Sequence, residues 1–137
     1  MNRQPLAGYR VLTFENFGAG PFGSLYLANL GAEVIKIEHP KGDEVRKQGK
    51  LKNGQSLWWR QVSRNKRFVA IDASKPEGAE AVRRLIGTAD VFVENFRPGR
   101  MADWGLDYKT LSAANPGLVM AHVSGYGQTG PYSRRPG

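Results

Sequence analysis

Gly18-Ala19-Gly20-Pro21-Phe22-Gly23 marks the turn between a strand-like segment at residues 11–14 and a helix-like segment at residues 22–30. A second strand-like segment, residues 34–37, ends at Glu38. A strand, a G-x-G-x-x-G turn, a helix and a second strand that ends at an acidic residue form the pattern of a dinucleotide-binding unit. The sequence therefore predicts a β-α-β unit with parallel strands, and NAD(P) is one candidate ligand.

The spacing before the first glycine argues against that ligand. Glu15-Asn16-Phe17 separates the strand from Gly18, whereas in the fingerprint the strand leads directly to a helix N-terminus that faces the pyrophosphate. Pro21 is typical of a first helical turn rather than of a loop that wraps a phosphate. The β-α-β interpretation is therefore better supported than the cofactor, and an NAD(P)-dependent oxidoreductase stays open as an alternative.

Strand-like and helix-like segments alternate along the rest of the chain, at residues 68–71, 74–86, 91–93, 108–114 and 118–121. Ser74-Lys75-Pro76-Glu77 has the form of a capping box for the first of these helices, and Asp107 is predicted to cap the second. We therefore predict one α/β domain over residues 1–137, with a Rossmann-like, mainly parallel sheet and helices on both faces. Such sheets bind ligands at the carboxyl ends of their strands.

Composition narrows the class of protein. The 137 residues include no cysteine and only two histidines, which excludes disulfides, thiol catalysis and multi-histidine metal sites, so no metal is expected. No apolar run approaches the roughly 20 residues of a membrane span, and the N-terminus lacks the apolar core of a signal peptide. We therefore expect a cytoplasmic protein without a membrane partner.

The net charge of +8 is concentrated in residues 39–67, which we call the basic loop. This segment contains nine Lys and Arg residues against Asp43 and Glu44, a net charge of +7. Such a concentration indicates an anionic partner, either a phosphate-bearing ligand or a nucleic acid, or else a solvated basic surface. Leu57-Trp58-Trp59 interrupts the polar sequence, and we predict a short helical turn that packs under the loop.

The segments at the strand ends, taken in order, resemble the family III CoA-transferases, which include formyl-CoA transferase, carnitine CoA-transferase and α-methylacyl-CoA racemase. The matching motifs are Leu6-Ala7-Gly8-Tyr9-Arg10-Val11-Leu12, Ala19-Gly20-Pro21, Leu30-Gly31-Ala32-Glu33-Val34-Ile35-Lys36-Ile37-Glu38, Asn65-Lys66-Arg67, Lys75-Pro76-Glu77-Gly78, Ala89-Asp90-Val91-Phe92-Val93-Glu94-Asn95-Phe96-Arg97-Pro98-Gly99 and Ser124-Gly125-Tyr126-Gly127-Gln128-Thr129-Gly130-Pro131. They occur in family order and span nearly the whole chain, so the set is specific although each motif is short.

The resemblance implies that these loops bind coenzyme A, with an acyl-CoA as the substrate. The residues implied to contact CoA are Gly18, Ala19, His39, Ile71, Asp72, Ala73, Ser74, Asn95, Phe96 and Arg97. His39 stands where the family usually has an arginine, and Asp103 stands where it has a further one. Those two phosphate contacts are therefore weakened, unless Arg97 or Arg100 replaces the second.

Charge adds further candidates for the phosphates of CoA. Lys66 and Arg67, like Arg97, could donate charge-assisted hydrogen bonds to the pyrophosphate or the 3′-phosphate. Phe96 could cover the adenine ring, although a core position is the alternative for this residue. A nucleic-acid-binding module based on the basic loop stays open, but nucleic acid is not the expected partner.

The resemblance also implies a chemistry. The transferases use an aspartate that attacks the thioester to give a mixed anhydride, after which CoA passes to a carboxylic acid. The racemases use an acid/base pair at the carbon next to the thioester. In both, the relevant aspartate follows the segment 125–131 at some distance, so it is expected beyond Gly137.

No catalytic residue is therefore predicted within the chain, and Glu15, Glu38 and Glu94 at the strand ends are predicted to have structural roles. Residues 1–137 are expected to be the N-terminal CoA-binding part of a larger domain, incomplete relative to the family fold and inactive alone. Family members are intertwined homodimers, so a second copy is an expected partner. The isolated chain is predicted to expose apolar surface and to be poorly soluble.

Overall fold

A sheet of five strands forms the centre of the computed structural model, which describes residues 4–136. The seven strands of the described chain are β1 (Arg10–Phe14), β2 (Glu33–Glu38), β3 (Leu51–Lys52), β4 (Gln55–Ser56), β5 (Lys66–Ala70), β6 (Val91–Glu94) and β7 (Val119–His122). Five of them form the central sheet in the order β5-β2-β1-β6-β7, and every pairing in it is parallel. β3 and β4 form a small antiparallel hairpin.

The helices connect these strands and cover both faces of the sheet. They are α1 (Ala19–Asn29), α2 (Leu57–Val62), α3 (Pro76–Ile86), α4 (Arg100–Asp103) and α5 (Tyr108–Ala114). Because all five strands are parallel, their carboxyl ends lie at one edge of the sheet, which we call the carboxyl edge. The predicted α/β fold with a mainly parallel sheet is confirmed.

One face of the sheet is mainly apolar, with Glu94 and His122 at its carboxyl end. Since neighbouring residues of a strand point to opposite faces, Leu12, Phe14 and Phe92 point to the same side, where they are buried with residues of α3 and α5. We call this side the apolar face. It holds the larger core cluster of the domain.

The opposite face changes character along its strands. Near the amino ends, Val11 and Val34 pack against alanines of the α1 region, in a cluster that also includes Val93. Nearer the carboxyl ends, Thr13 and Lys36 occupy paired positions and both are almost fully buried. We call this side, which α1 and the basic loop adjoin, the charged face.

The local predictions differ from the structure at the start of α3. The capping box is wrong: Lys75 is the N-cap residue and makes no side-chain cap, while the Ser74 hydroxyl donates to Asp72 Oδ1 at 2.6 Å. The close approach of the helix to the preceding strand explains this, since a Cβ atom on Gly78 would lie 1.9 Å from the Asp72 carbonyl oxygen. The predicted cap of α5 is confirmed, because Asp107 accepts a hydrogen bond from the Thr110 amide.

Other boundaries were missed because they depend on tertiary contacts. α1 begins at Ala19, three residues before the predicted start. The β3–β4 hairpin, α4 and a 3₁₀ turn at Glu44–Lys47 were not predicted. The helical turn at Leu57-Trp58-Trp59 is confirmed as α2, and its Trp59 packs 5.6 Å from Phe68 between ring centroids.

Several large apolar side chains are exposed, among them Tyr26 on α1 and Val119 on the edge strand β7, at 55% and 61%. This exposure agrees with the predicted apolar surface, whereas the predicted poor solubility stays a prediction. Within residues 4–136, no helix is both long and apolar enough to cross a bilayer. The same residues contain no group of three or more His, Asp or Glu side chains placed to hold a metal ion.

Candidate ligand-binding site

A cavity of about 490 Å³ opens at the carboxyl edge of the sheet, and we call it the edge cavity. Its walls come from residues 17–19 after β1, 95–98 after β6, 123–125 after β7 and 135–136 near the end of the chain. Three of these four segments directly follow neighbouring parallel strands, which is where such sheets bind their ligands. The structure thus brings together five predicted site residues: Gly18, Ala19, Asn95, Phe96 and Arg97.

The wall after β1 is an irregular turn that presents backbone and an aromatic ring. Phe17 has a φ of 64° and is 56% exposed. This left-handed conformation costs a bulky residue about 1–3 kcal/mol, and such strain concentrates at functional sites. Gly18, the N-cap of α1, has open space where a Cβ atom would stand. A ligand can therefore approach the backbone closely at this turn.

The wall after β6 is held by aromatic packing behind it. The Phe96 ring lies 4.9 Å from Phe14 and 5.4 Å from Trp104, measured between centroids and edge-on in both cases. The Phe96 amide donates to Glu94 Oε2 at 2.8 Å. Phe96 thus packs against the core cluster on one side and lines the cavity on the other, and its contact with the adenine ring stays a prediction.

Two arginines line the edge cavity. Arg97 is exposed and also borders a smaller cavity of about 130 Å³ next to His122. The Arg135 guanidinium lies 4.5 Å from the centroid of the Tyr132 ring. Guanidinium groups bind phosphate and carboxylate through paired hydrogen bonds, so the cavity combines apolar walls with positive charge.

The sequence analysis missed part of this lining. The rule that ligands bind at strand ends already indicated Ser124 and Gly125, but neither was included among the predicted site residues. No sequence signal indicated Arg135, because only the fold brings residues 135–136 back to the cavity.

The other predicted contacts lie outside the edge cavity. His39 follows β2 and Asp72 follows β5, and His39 Nε2 lies 3.7 Å from Asp72 Oδ1. Hydrogen bonds from Ser74 lower the pKa of the Asp72 carboxyl. Ala73 is buried in the core of the apolar face, and Ile71 packs against that core. These residues follow β2 and β5, whereas the cavity is lined by the loops after β1, β6 and β7.

The phosphate candidates of the basic loop are already bound within the chain. Lys66 is buried, and its ammonium group donates to Glu15 Oε1, the Pro21 carbonyl and Ser24 Oγ at 2.8, 2.8 and 2.6 Å. Burial lowers the pKa of Lys66, and the Glu15 carboxylate opposes this shift. The placement does not support the predicted phosphate contact of Lys66, because its side chain is 1% exposed.

Arg67 and Arg100 are exposed but also paired. Arg67 Nη1 lies 2.7 Å from Glu33 Oε1 near the amino ends of the strands, away from the edge cavity. Arg100 lies 3.4 Å from Asp103 and stands over the Trp104 ring. Neither side chain lines the edge cavity.

The two residues that supported NAD(P) have other roles. A Cβ atom on Gly20 would lie 3.0 Å from Asn95 Cγ and from Glu15 Cβ, so this glycine faces the protein. Both oxygens of Glu38 accept hydrogen bonds, from the Asp43 amide and from Arg46. Burial alone would raise the pKa of Glu38, but these hydrogen bonds lower it overall. The second glycine of the pattern is therefore used for packing within the protein, and Glu38 is paired with Arg46 rather than open to a ribose.

Comparisons with known proteins agree with this geometry. The family model described as CoA-transferase family III matches residues 6–137. The chain is 49% identical over 136 residues to a succinyl-CoA–D-citramalate CoA-transferase of Chloroflexus aurantiacus, with 98% of this chain and 34% of that protein covered. It is 40% identical over 138 residues to the succinyl-CoA:glutarate CoA-transferase of Homo sapiens, with 99% and 32% covered.

A solved structure gives the same result for the fold. A CaiB/BaiF family protein of Brucella suis superposes with a TM-score of 0.92 at 40% identity, over 99% of this chain and 37% of that one. The chain thus spans about a third of the length of the relatives that it matches. Because the family model covers nearly all of these 137 residues, the chain belongs to CoA-transferase family III.

Proposed function

We propose that this chain forms the CoA-binding part of an acyl-CoA:carboxylate CoA-transferase, which moves CoA from an acyl-CoA to a carboxylic acid. The observation that carries the proposal is the edge cavity, built from three consecutive strand-end loops in a chain of this family. Ligands of parallel α/β sheets bind at such loops.

The chemistry of the cavity fits the parts of CoA. The phenyl rings of Phe17 and Phe96, with Ala19 and Pro98, offer apolar contacts to the pantetheine arm or the adenine ring. Arg97 and Arg135 offer guanidinium donors to its phosphate groups. The exposed backbone at Gly18 adds a place where the ligand can lie close to the N-terminus of α1.

The proposed reaction needs a nucleophile outside these 137 residues. A carboxylate oxygen of an aspartate bonds to the thioester carbonyl carbon, and the C–S bond breaks to release the CoA thiolate and leave a mixed anhydride. The thiolate attacks the aspartyl carbonyl of this anhydride, which releases the donor acid as a carboxylate and leaves CoA on the aspartate as a thioester. The acceptor carboxylate attacks that thioester, giving a second mixed anhydride and free thiolate. The thiolate then attacks the acceptor's carbonyl carbon, which forms the new acyl-CoA and releases the aspartate. We take succinyl-CoA as the first donor to test, because it is named in both curated relatives described above.

Binding is tested by titrating the chain with CoA and with NAD in a calorimeter, and by thermal shift. CoA is expected to bind and to raise Tm, and NAD is expected to do neither. Arg97→Ala should weaken CoA binding by about tenfold to a hundredfold, since a lost charge-assisted contact is worth about 1.5–3 kcal/mol. Arg84→Ala is the matched control, because Arg84 is an exposed arginine of α3 outside the edge cavity. Binding of NAD without CoA would overturn the proposal.

Transfer is tested by mass spectrometry with succinyl-CoA and a dicarboxylic acceptor, D-citramalate or glutarate, which the two relatives described above name. The 137-residue chain is expected to bind CoA without forming a new acyl-CoA. The same chain continued by family sequence that contains the aspartate is expected to form it. Transfer by the 137-residue chain alone would contradict the proposed position of the nucleophile.

A further inference from the structure

The side chain of Asn95 connects two walls of the edge cavity. Its Oδ1 accepts a hydrogen bond from the Asn16 amide at 2.8 Å, and its Nδ2 donates to the Asn16 carbonyl oxygen at 2.7 Å. The two bonds join residues 79 positions apart in the sequence. One amide group thus satisfies both backbone polar groups of a residue in the turn after β1.

This pair extends the sheet beyond its last backbone pairing. The register of β1 and β6 ends with Phe14 opposite Glu94. Past that point the segments that follow the two strands form the walls at residues 17–19 and 95–98. The Asn95 side chain spans the gap, so the separation of the walls at their base is fixed by one side-chain amide.

Gly20 provides the space that the Asn95 side chain occupies. A Cβ atom at position 20 would lie 3.0 Å from Asn95 Cγ and 3.2 Å from Asn95 Cβ, closer than nearly all real contacts of this kind. Glu15 Cβ would lie equally close, at 3.0 Å, so an added methyl group would force Asn95 or Glu15 to shift by a few tenths of an ångström. The second glycine of the G-x-G pattern is therefore matched to Asn95.

We propose that Asn95 is a positioning residue for the ligand, with Gly20 as its required neighbour. The two hydrogen bonds between the Asn95 amide and the Asn16 backbone, which we call the clasp, hold the two walls at a fixed distance. Gly18 and Ala19 on one wall can then contact CoA at the same time as Phe96 and Arg97 on the other. The identity of the ligand rests on the proposed function above; the clasp itself rests on the geometry alone. Asn95 acts through the walls, because its amide is already committed to Asn16 on both sides.

The test compares Asn95→Ala with Asn115→Ala by CoA titration and thermal unfolding. Asn115 is a matched control, since its amide also holds backbone, donating to the Ala89 carbonyl at 2.9 Å, and it lies outside the edge cavity. Asn95→Ala should weaken CoA binding about tenfold, equivalent to about 1.4 kcal/mol. Asn115→Ala should lower Tm while leaving the Kd for CoA unchanged. Equal CoA affinity in the two variants would overturn the proposal.

Gly20→Ala provides an independent arm. It should weaken CoA binding to a similar degree, and the Gly20→Ala/Asn95→Ala double variant should bind no worse than either single variant, because the two changes disrupt the same contact. Additive losses would contradict the clasp. Asn95→Ser, which keeps a small neutral hydroxyl near the Asn16 backbone but cannot span it on both sides, serves if Asn95→Ala does not fold, with a similar expected loss.

Hydrogen exchange separates this proposal from the proposed function. The Asn16 amide should exchange slowly in the parent chain and in Asn115→Ala, and fast in Asn95→Ala, whether or not CoA binds. If the parent chain binds no CoA, the proposed function is wrong. The exchange rate of the Asn16 amide then still tests whether Asn95 holds the Asn16 backbone. Equal exchange of Asn16 in all three chains would overturn it.

Discussion

The two faces of the sheet are built on different physical principles. On the apolar face, Leu12, Ile37 and Phe92 are fully buried among other apolar side chains. On the charged face, at the same depth, Lys36 and Lys66 are buried with Asp43 and Glu15 as their partners. One sheet therefore has one face stabilised by contact area and another stabilised by matched charges.

The difference between the faces explains why part of the positive charge of the basic loop is paired within the protein. Arg46 and Lys66 belong to that loop, but their side chains pair with Glu38 and Glu15 of the sheet edge. Arg46 also lies 4.0 Å above the Trp59 ring of the same loop. A high local charge in a sequence therefore does not measure the charge offered to a partner, because part of it neutralises carboxylates that the strands bury.

On the apolar face, side-chain volume is expected to determine stability. Phe92→Ala should therefore cause the largest loss in the free energy of unfolding. Phe92 is 0% exposed, and truncating a buried phenylalanine costs about 3–5 kcal/mol through lost contacts and the cavity left behind. Urea unfolding monitored by circular dichroism measures the change. Phe22→Ala is the control, since Phe22 is 44% exposed on α1, and it should cost less than about 1 kcal/mol. Comparable losses in both variants would show that the apolar face is not the main core.

Charge matching is expected to govern the other face. Lys66→Met should destabilise the chain by about 3 kcal/mol, because it leaves the Glu15 carboxylate buried without its cation. Adding Glu15→Gln should restore more than half of that loss, since the uncompensated charge is then gone. Lys109→Met, at an exposed lysine of α5, should change the free energy of unfolding little. A double variant no more stable than Lys66→Met would show that volume, not charge, matters at this position.

The smallest expected effect is a pH dependence specific to the charged face. The pKa of Glu38 is lowered from its ordinary value of 4.5 in the folded chain. Its contribution to stability is therefore present above about pH 4.5 and is lost as pH falls through the lower folded pKa.

Glu38→Gln should cost about 1.5 kcal/mol at pH 7, through weaker hydrogen bonds to Arg46, and should flatten the acid limb of a stability–pH profile. Urea unfolding tests this when it is measured at several pH values from about 3 to about 7, a range that includes the ordinary carboxyl pKa. Glu44→Gln, at an exposed glutamate of the same loop, should keep the acid limb of the parent chain. An unchanged acid limb in Glu38→Gln would show that Glu38 does not contribute to the pH dependence of stability.

Much of the fold follows from local sequence patterns. The alternation of β-branched runs with capped or periodic segments predicted the five long strands and the helices α1, α3 and α5, because period and length distinguish these elements locally. The Ser74 capping box failed because the Ser74 hydroxyl donates to Asp72 instead, next to the point where Gly78 brings α3 against the Asp72 carbonyl. The capping pattern does not distinguish these two local arrangements. The β3–β4 hairpin and α4 are short elements with weak local signals.

The candidate site divides in the same way. Gly18, Ala19 and residues 95–97 were predicted from motifs at strand ends, and the structure brings them to one cavity. Lys66 was predicted as a phosphate contact from its charge, but in the structure its ammonium group forms an ion pair with Glu15. Arg135 joins the cavity without any local pattern to indicate it.

The order of strands, turns and helices, and the family motifs, were readable from the sequence because they depend on neighbours a few residues apart. The fate of the Lys66 charge and the purpose of Gly20 depended on residues far away in the chain. Gly20 lies against Asn95, and Lys66 reaches Glu15 across 51 positions. Burial and hydrogen-bond partners arise only when the strands assemble, so the tertiary structure alone decided which polar groups face a ligand and which are used within the protein.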